Sequence, residues 1–396
     1  MILYLLFGFI LLVILFFIFI RLKYRFWALQ PVFHFYDLYY WFINVGIIRK
    51  ELPEKNKYVN LKQITTKTFD DLDELTKKKI LILIQQNYWV NGENKYAPKL
   101  DNIEPYFIGH SYKCFWSYYL EDELYIDNKT NKTIIEKRII GVITSRPLHI
   151  KIGTNKFDAY YVDYLCVNKS KRKMNIAPQL IQTHEYIQSH QNKHISVSLF
   201  KREEELTGII PLTIYKTYCF DMTKMVIDNH SKLILNIKLL TADRQNCYYL
   251  YNCLNQSNKK WDIMIYPVIS NLIELIASKN IYIKMLLVDN EIDTVFVFKK
   301  SCIFIQEGKE VLSCIASIRG ELTNEEFVSY FKIALQSILK EDNNFMYLSI
   351  EDISDNKILI NDVCLNVFPT TISPMAYFFY NFAYNPFQSD KCFIIN

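Results

Sequence analysis

The stretch from Asp163 to Leu180, DYLCVNKSKRKMNIAPQL, combines residue types that bind carbonyl groups and phosphates. Tyr160 to Val167 is rich in β-branched and aromatic residues and is predicted to be a strand, whose main-chain N–H groups can donate to a reacting carbonyl. A helix is expected to open around Pro178, because proline is tolerated in a first helical turn. Cations beside a helix N-terminus bind phosphates, so this order suits an acyl-coenzyme A site. The cations are Lys169, Lys171, Arg172 and Lys173.

Two further segments, near opposite ends of the chain, have unusual composition. Phe26 to Val32 reads FWALQPV and, taken alone, is typical of an aromatic anchor at a membrane interface. Ala376 to Phe382 and Cys392 to Asn396 are strongly apolar, although chain ends are normally polar and mobile. The C-terminal segment is therefore predicted to be buried, either at a functional site or as a strand that merely docks.

An N-terminal apolar run precedes these segments. Met1 to Ile20 carries no charge, and about 20 helical residues cover the hydrocarbon core of a bilayer. A signal peptide is the alternative, but the run lacks a basic start and a small-residue cleavage site. We expect a single-pass transmembrane anchor. Arg21, Lys23 and Arg25 follow it directly, so the positive-inside rule places the body of the protein in the cytoplasm.

Composition excludes several classes of protein. The chain has 396 residues, 51% of them hydrophobic, which is enough for a large core or two domains. Only 9 glycines occur, which disfavours Gly-rich nucleotide loops. A net charge of +5 with interleaved acids and bases gives no nucleic-acid stripe. The 9 cysteines lack CxxC spacing, which favours free thiols over disulfides or a zinc site. His190 and His194 lack a third ligand, so we expect no metal.

The apolar spacing predicts the elements that position these segments. Thr65 to Gln86 has helical spacing, with Asp70 and Asp71 favouring its first turn. Trp261 to Ala277 is also predicted to be a helix. Further helices are expected at Pro178 to Ser189 and Asn324 to Leu339, and strands at Ile139 to Ser145, Ala159 to Val167, His194 to Phe200, Ile281 to Asp289, Thr294 to Lys299, Asn344 to Ile350 and Met375 to Phe382. The chain is therefore expected to be an α/β protein.

These three segments together resemble the glycylpeptide N-tetradecanoyltransferases, or N-myristoyltransferases. The resemblance lies in FWxxQPV, in DYLCV…R…APxL and in the apolar C-terminal segments, and covers about a tenth of the chain strongly. It implies two fused halves of the GNAT (acyl-coenzyme A N-acyltransferase) fold sharing one core, behind the membrane helix. The implied division is an anchor over 1–20, an acyl-coenzyme A-binding half over 21–223, and a peptide-binding half over 224–396 whose tail returns to the active site.

The resemblance also implies roles for individual residues. Main-chain N–H groups of Tyr164 and Leu165 would hold the oxyanion, and the α-carboxylate of Asn396 would take a proton from the amine of an N-terminal glycine. Asp163 and Ser198 occupy the positions where the family holds that amine. Myristoyl-coenzyme A would be a co-substrate, with no permanently bound cofactor. The coenzyme would contact Tyr24, Arg25, Phe26, Trp27, Tyr164, Leu165, Cys166, Val167, Arg172, Lys173, Asn175, Ile176 and Ala177.

The sequence departs from the family at the acceptor site. Asp163 stands where the family has Asn. Tyr88 occupies a position that the resemblance assigns to peptide binding. The family has an acidic run directly after it, where this chain offers only Glu93. Phe200 to Leu206 resembles an insertion. Two alternatives therefore stay open. One is a GNAT-type acetyltransferase, which would share the basic loop; the other is a catalytically degenerate transferase serving as a membrane scaffold or structural protein.

Overall fold

The computed structural model describes residues 2–91, 94–127, 132–203, 208–225, 237–256, 260–289, 291–305 and 308–396. Glu93 and residues 204–206 of the expected insertion lie outside the described residues. The helices are α1 Ile2–Lys23, α2 Leu38–Phe42, α3 Glu74–Asn87, α4 Leu100–Ile103, α5 Ile176–Gln191, α6 Cys247–Gln256, α7 Ile269–Ala277, α8 Asn324–Glu341 and α9 Asn356–Asn366.

Strands account for most of the remaining described chain. They are β1 Gly46–Ile47, β2 Ile64–Thr68, β3 Val90–Asn91, β4 Asn94–Tyr96, β5 Phe115–Asp127, β6 Lys132–Ile152, β7 Asn155–Val167, β8 Ser198–Glu203, β9 Thr213–Asp221, β10 Ile237–Thr241, β11 Ile263–Tyr266, β12 Ile281–Val288, β13 Glu291–Ile305, β14 Lys309–Ile318, β15 Phe345–Glu351, β16 Thr371–Tyr380, β17 Phe382–Ala383 and β18 Cys392–Ile394.

One mixed sheet runs through the molecule in the order β10-β12-β13-β14-β15-β9-β16-β8-β7-β6-β11-β18, with β5 and β2 continuing from β6. In the middle of this sheet, β16 from the C-terminal part of the chain lies between β8 and β9 and pairs antiparallel with both. Helix α5 packs on β5, β6 and β7, and α8 with α9 covers β13, β14 and β15. The sheet thus has similar helix-covered halves around one continuous core.

The predicted helix over Thr65 to Gln86 is wrong at its beginning. Residues Ile64–Thr68 form β2, because a run of β-branched residues pairs with β5 over its whole length. The helix begins only at Glu74, after Asp73, whose side chain accepts a hydrogen bond from the Thr76 amide and caps the first turn.

The predicted helix over Trp261 to Ala277 is likewise wrong in its first part. Ile263–Tyr266 is a buried strand that pairs with β6 on one side and with β18 on the other. Pro267 separates it from α7, which begins at Ile269. A short apolar run that is buried on all sides has no periodicity by which to distinguish strand from helix.

The N-terminal segment is attached to the body through Asn381, which is buried and has a left-handed φ of 64°. Its side-chain amide donates to the carbonyl oxygens of Arg49 and Ser196 at 2.9 Å each, and its Oδ1 accepts the Arg49 amide at 2.7 Å. Its own amide donates to the Pro31 carbonyl oxygen. One asparagine therefore joins three distant segments of the chain.

Helix α1 lies outside the core. Its side chains are exposed along almost its whole length, and Ile20, near its C-terminal end, is buried. It is long and apolar enough to cross a membrane, a criterion of length and composition that signal sequences also meet.

Candidate active site

Strand β7 carries a bulge in the middle of the sheet. Val142 of β6 pairs with Cys166, and Thr144 pairs with Asp163. The one residue between the pairs on β6 therefore lies opposite two residues on β7. The extra residue bends the strand, and Tyr164 adopts a left-handed φ of 48°. Parallel pairing with β8 covers Tyr160 to Val162. Beyond it the two strands part, which opens the sheet beside the bulge.

A cavity of about 450 Å³ lies at this opening. Its walls come from the end of α3, the outer part of β7, the basic loop and the first turn of α5. The lining residues are Asn87, Tyr88, Leu165, Cys166, Val167, Lys171, Arg172, Lys173, Asn175, Ile176, Ala177 and Pro178. The structure thus brings together Tyr88 and most residues expected around the coenzyme.

The first turn of α5 provides an unoccupied set of main-chain donors. Asn175 at the N-cap has φ of 63°, and its side chain makes no capping hydrogen bond. The first amides of a helix lack intrahelical acceptors and carry partial positive charge, so an uncapped first turn attracts anions. Pro178 contributes no N–H in this turn, as expected of a proline near a helix start.

The basic side chains of the loop differ in their partners. Arg172 donates to the carbonyl oxygens of Asn87, at 2.6 Å, and Val167, so it fastens the loop to the end of α3. Lys171 forms an ion pair with Glu121 at 2.8 Å. Lys173 is exposed and has a left-handed φ of 65°. Of these three cations, Lys173 has its charge most available to a phosphate.

The predicted oxyanion donors have unequal surroundings. The Tyr164 amide donates to Oδ1 of Asp163 at 2.9 Å, so the preceding side chain occupies it in this structure. Leu165 follows on the outer side of the bulge, with its side chain 39% exposed. The Tyr164 hydroxyl accepts a hydrogen bond from Tyr96 at 3.1 Å, which fixes the ring away from the cavity mouth.

The end of the chain is buried in the sheet. Strand β18 lies parallel to β11, and Phe393, Ile394 and Ile395 are almost fully buried. The main-chain oxygen of Asn396 accepts a hydrogen bond from Lys299 Nζ at 2.9 Å. The Asn396 side-chain amide donates to the Tyr161 hydroxyl at 2.8 Å. Tyr161 is two residues before Asp163, so the chain end reaches the part of β7 next to the bulge.

Sequence reasoning missed the cations that surround the chain end. Burial lowers the pKa of Lys299 to about 8, and the Asp163 carboxylate opposes that shift. Arg146 of β6 is fully buried. Lys201 of β8 pairs with Glu351 of β15 at 2.8 Å. A signal was available, because Arg146 directly follows the strand predicted over Ile139 to Ser145 and Lys299 ends the strand predicted over Thr294 to Lys299.

Two groups of predicted residues lie elsewhere. Ser198 is buried on β8 and accepts a hydrogen bond from Gln188 at 3.4 Å. Trp27 stacks on Phe200 with ring centroids 5.7 Å apart. Tyr24, Arg25, Phe26 and Trp27 are not among the residues that line the described cavity. Their contact with a coenzyme stays a prediction.

Among the described residues, no group of three or more His, Cys, Asp or Glu side chains is placed to hold a metal ion. His190, considered above with His194, donates a hydrogen bond from Nδ1 to the carbonyl oxygen of Tyr186, four residues before it. It therefore behaves as an ordinary helix residue.

Solved structures of similar fold place this arrangement in a class. The chain resembles Saccharomyces cerevisiae N-myristoyltransferase with bound myristoyl-CoA, at 11% identity and TM-score 0.70, over 92% of this chain and 90% of that one. A second yeast structure, with myristoyl-CoA and inhibitors, gives 13% identity, TM-score 0.70, and coverage of 92% and 91%. A tandem GNAT protein from the clavulanic acid biosynthesis pathway gives 9% identity and TM-score 0.54, over 82% of this chain and 100% of that one. The fold is that of a double GNAT acyltransferase, which confirms the expected fold class.

A family model matches part of the sequence. Residues 50–211 match the model of the N-terminal domain of myristoyl-CoA:protein N-myristoyltransferase. A comparison with curated proteins finds no match. The match confirms, over residues 50–211, the resemblance to N-myristoyltransferases drawn from the motifs.

Proposed function

We propose that this protein transfers a myristoyl group from myristoyl-coenzyme A to the amine of an N-terminal glycine. The observation that carries the proposal is the buried chain end, which Tyr161 ties to strand β7 two residues before the bulge. A GNAT-type acetyltransferase needs the bulge and the loop but gives no reason for an apolar terminus at this place. The match of residues 50–211 to the N-terminal domain of myristoyl-CoA:protein N-myristoyltransferase supports the same reaction.

The acyl donor lies across the opening of the sheet. Its phosphates face Lys173 and the uncapped first turn of α5, whose amides and charge suit anions. The thioester lies against Leu165, Cys166 and Val167, which line the cavity. The coenzyme is a co-substrate, consumed in each turnover.

The chemical step needs an oxyanion site and a base. The glycine amine attacks the thioester carbonyl carbon, the C–S bond breaks, and coenzyme A leaves as a thiolate that takes up a proton. The amides of Tyr164 and Leu165 hold the oxyanion, each such donor contributing about 3 kcal/mol. Asp163 must first release the Tyr164 amide, which it now occupies at 2.9 Å. A natural trigger is the arriving ammonium, to which Asp163 turns. Ser198, whose hydroxyl accepts a hydrogen bond from Gln188 of α5, stays a predicted contact of the amine.

The proton leaves the glycine ammonium through the α-carboxylate of Asn396. The carboxylate is positioned by Lys299 and by the hydrogen bond from its own side chain to Tyr161. Burial of the terminus, which is 4% exposed, removes the water that would favour the charged ammonium and the charged carboxylate.

Residues 1–20 anchor the enzyme as a single-pass protein with its catalytic body in the cytoplasm. The support is the apolar α1 with Arg21 and Lys23 in its last turn. Residues 21–223 form the acyl-coenzyme A-binding half and 224–396 the peptide-binding half. The pairing of β16 with β8 joins the two halves.

The chain itself offers the means to test the base. Cys392 allows a fragment 1–391 with a C-terminal thioester to be ligated to the synthetic pentapeptide CFIIN. Three products are compared in one detergent: the acid, the C-terminal amide and the acid extended by one glycine, which moves the carboxylate by about 3.8 Å. Release of coenzyme A is followed with myristoyl- or acetyl-coenzyme A and a library of glycine-initiated peptides.

We expect the acid to consume myristoyl-coenzyme A and the amide to lose roughly 10²- to 10⁴-fold in kcat, the usual contribution of a general base. The ligated acid is the matched control for the chemistry of ligation. Full activity of the amide or of the extended form would show that Asn396 is not the base. Consumption of the acetyl donor alone would favour an acetyltransferase, and consumption of neither donor would favour a scaffold.

A further inference from the structure

Arg146 is a buried cation whose guanidinium has no hydrogen-bond partner in the part of the chain that the structure describes. It lies on β6 opposite Tyr161 and is fully buried, with 0% exposure. Its guanidinium carbon is 5.0 Å from the ring centroids of both Tyr106 and Tyr161. None of its three nitrogens finds a hydrogen-bond acceptor among the described residues. A planar cation is thus stacked on aromatic rings with every one of its donors unused.

The anions nearby are each engaged by another group. Glu351 pairs with Lys201, the Asn396 main-chain oxygen accepts Lys299, and Oδ1 of Asp163 accepts the Tyr164 amide. Lys299 also lies over the Tyr106 ring, 4.9 Å from its centroid. A second cation therefore shares the ring on which Arg146 stacks. Of the cations Arg146, Lys201 and Lys299, Arg146 is thus the one that contacts no carboxylate of the described residues.

Such a site is costly unless an anion completes it. Cation–π contacts recover only part of the free energy that a buried, unpaired guanidinium loses on leaving water. Buried polar groups without partners are rare in folded proteins, and each one calls for an explanation. A guanidinium offers a planar fork that fits a carboxylate through two parallel hydrogen bonds. The ligand that the geometry favours is therefore a carboxylate.

We propose that Arg146 binds a carboxylate of the acyl acceptor, so that this protein prefers acceptors with an acidic group close to the reacting glycine. The proposal rests on the proposed function and assigns its substrate class. Tyr161 connects the two sites, since its ring stacks on Arg146 and its hydroxyl accepts from Asn396. A group bound at Arg146 is then one aromatic side chain away from the base.

Access to the guanidinium requires movement of a side chain. Tyr106 lies in a short 3₁₀ turn over Glu104–Phe107, and its hydroxyl has no hydrogen-bond partner among the described residues. Rotation of this ring alone, with Lys299 kept on Asn396, removes one of the two aromatic contacts that cover the Arg146 guanidinium and breaks no described hydrogen bond of the Tyr106 side chain. The arriving carboxylate replaces the lost ring contact with charge-assisted hydrogen bonds.

The test uses the full chain in detergent and matched acceptors. Glycine-initiated peptides carry Asp or Asn, and Glu or Gln, at position 2, 3 or 4; diglycine and its amide probe an α-carboxylate instead. The wild-type protein, Arg146→Met, Arg146→Lys and the control Arg138→Met are compared. Arg138 lies on the same strand but is exposed and pairs with Glu123 at 3.3 Å. Coenzyme A release gives kcat/KM, and a thioether analogue of myristoyl-coenzyme A allows binding of the same acceptors to be measured without turnover.

We expect the wild-type protein and Arg138→Met to favour the acid over its amide at least about tenfold at one position, as one charged hydrogen bond allows. Arg146→Met brings that ratio to about one, and Arg146→Lys keeps part of it. The unfolding temperature of Arg146→Met should not fall, since an unpaired buried charge has been removed. If diglycine is preferred over its amide and no side-chain acid is preferred, Arg146 binds the C-terminal α-carboxylate of a short acceptor.

A wild-type protein that acylates or binds acid and amide equally overturns the proposal, as does a preference that survives in Arg146→Met. Failure of the proposed function has a different signature. If no acceptor is acylated but acidic peptides bind better through Arg146, the anion site stands and the transferase reaction does not. If the neutral peptides are acylated without any preference, the reaction stands and the anion site does not.

Discussion

Glu185 gives the most quantitative prediction of the structure. This carboxyl group lies on α5, is buried, and accepts a hydrogen bond from Ser189 Oγ at 3.1 Å. Burial raises the pKa of Glu185 to about 7, against the opposing effects of the Ser189 hydrogen bond and the Arg49 charge. The substitution Glu185→Gln keeps the shape and the acceptor oxygen but removes the titration.

The sign follows from proton binding. Between its unfolded pKa of about 4.3 and its folded value of about 7, Glu185 holds its proton in the folded state and loses it in the unfolded chain. Its contribution to stability is therefore fully present below about pH 4 and is lost as the pH rises through 7. The difference between the folded and the unfolded pKa, at 1.36 kcal/mol for each pH unit, corresponds to roughly 3 to 4 kcal/mol. The group is buried, so solvent screening reduces this figure little.

The assay is urea unfolding of the full chain, followed by tryptophan fluorescence from pH 4 to pH 8 in one detergent. We expect the stability of the wild-type protein relative to Glu185→Gln to fall by roughly 3 kcal/mol across this range. The exposed Glu54→Gln is the matched control, and its difference from the wild-type protein should stay nearly constant. Parallel curves for the wild-type protein and Glu185→Gln would refute the reasoning about burial.

Two other substitutions test the packing around the site. Glu351→Gln leaves Lys201 without its counter-charge and should lower the free energy of unfolding by about 3 to 5 kcal/mol. The double change Lys201→Met with Glu351→Leu should lower it much less. Equal losses of stability would argue against a buried ion pair. Gly141→Val places a side chain against Leu180, since even a Cβ there lies 2.8 Å from Leu180 Cδ1. Gly141→Val should lower the free energy of unfolding by roughly 2 to 3 kcal/mol and weaken coenzyme A binding in calorimetry, while Gly141→Ala should lower it less. Unchanged affinity of Gly141→Val for coenzyme A would show that the position of α5 does not matter to the phosphate site.

The central part of the site could be predicted because its signals are local. The strand, the basic loop and the helix start follow each other within Asp163 to Leu180, and the structure places most of them around one cavity. Proline near a helix start and a β-branched run each act through the backbone of their own segment. The two fused GNAT halves were predicted from the resemblance of the motifs, because local signals do not specify how distant elements pair.

The cations around the chain end could not be predicted in the same way. Arg146, Lys201 and Lys299 come from β6, β8 and β13, and only the register of the complete sheet brings them towards the terminus. The segment Ile263–Tyr266 failed for a related reason, since its strand state depends on partners more than 100 residues away on either side. Pairing over such separations is decided by burial and loop closure rather than by propensity.

The buried Asn381 has a consequence for the synthesis of the protein. Its bonds to Arg49 span 332 residues of sequence, so the segment before Arg49 has no partner there until residue 381 has emerged from the ribosome. At about 5 to 20 residues per second this wait lasts roughly 20 to 65 s. Throughout that time the segment before Arg49 lacks the hydrogen bonds that Asn381 supplies to Pro31 and Arg49. Newly made chains thus pass through a long interval in which this segment is open to chaperones or to a lipid surface.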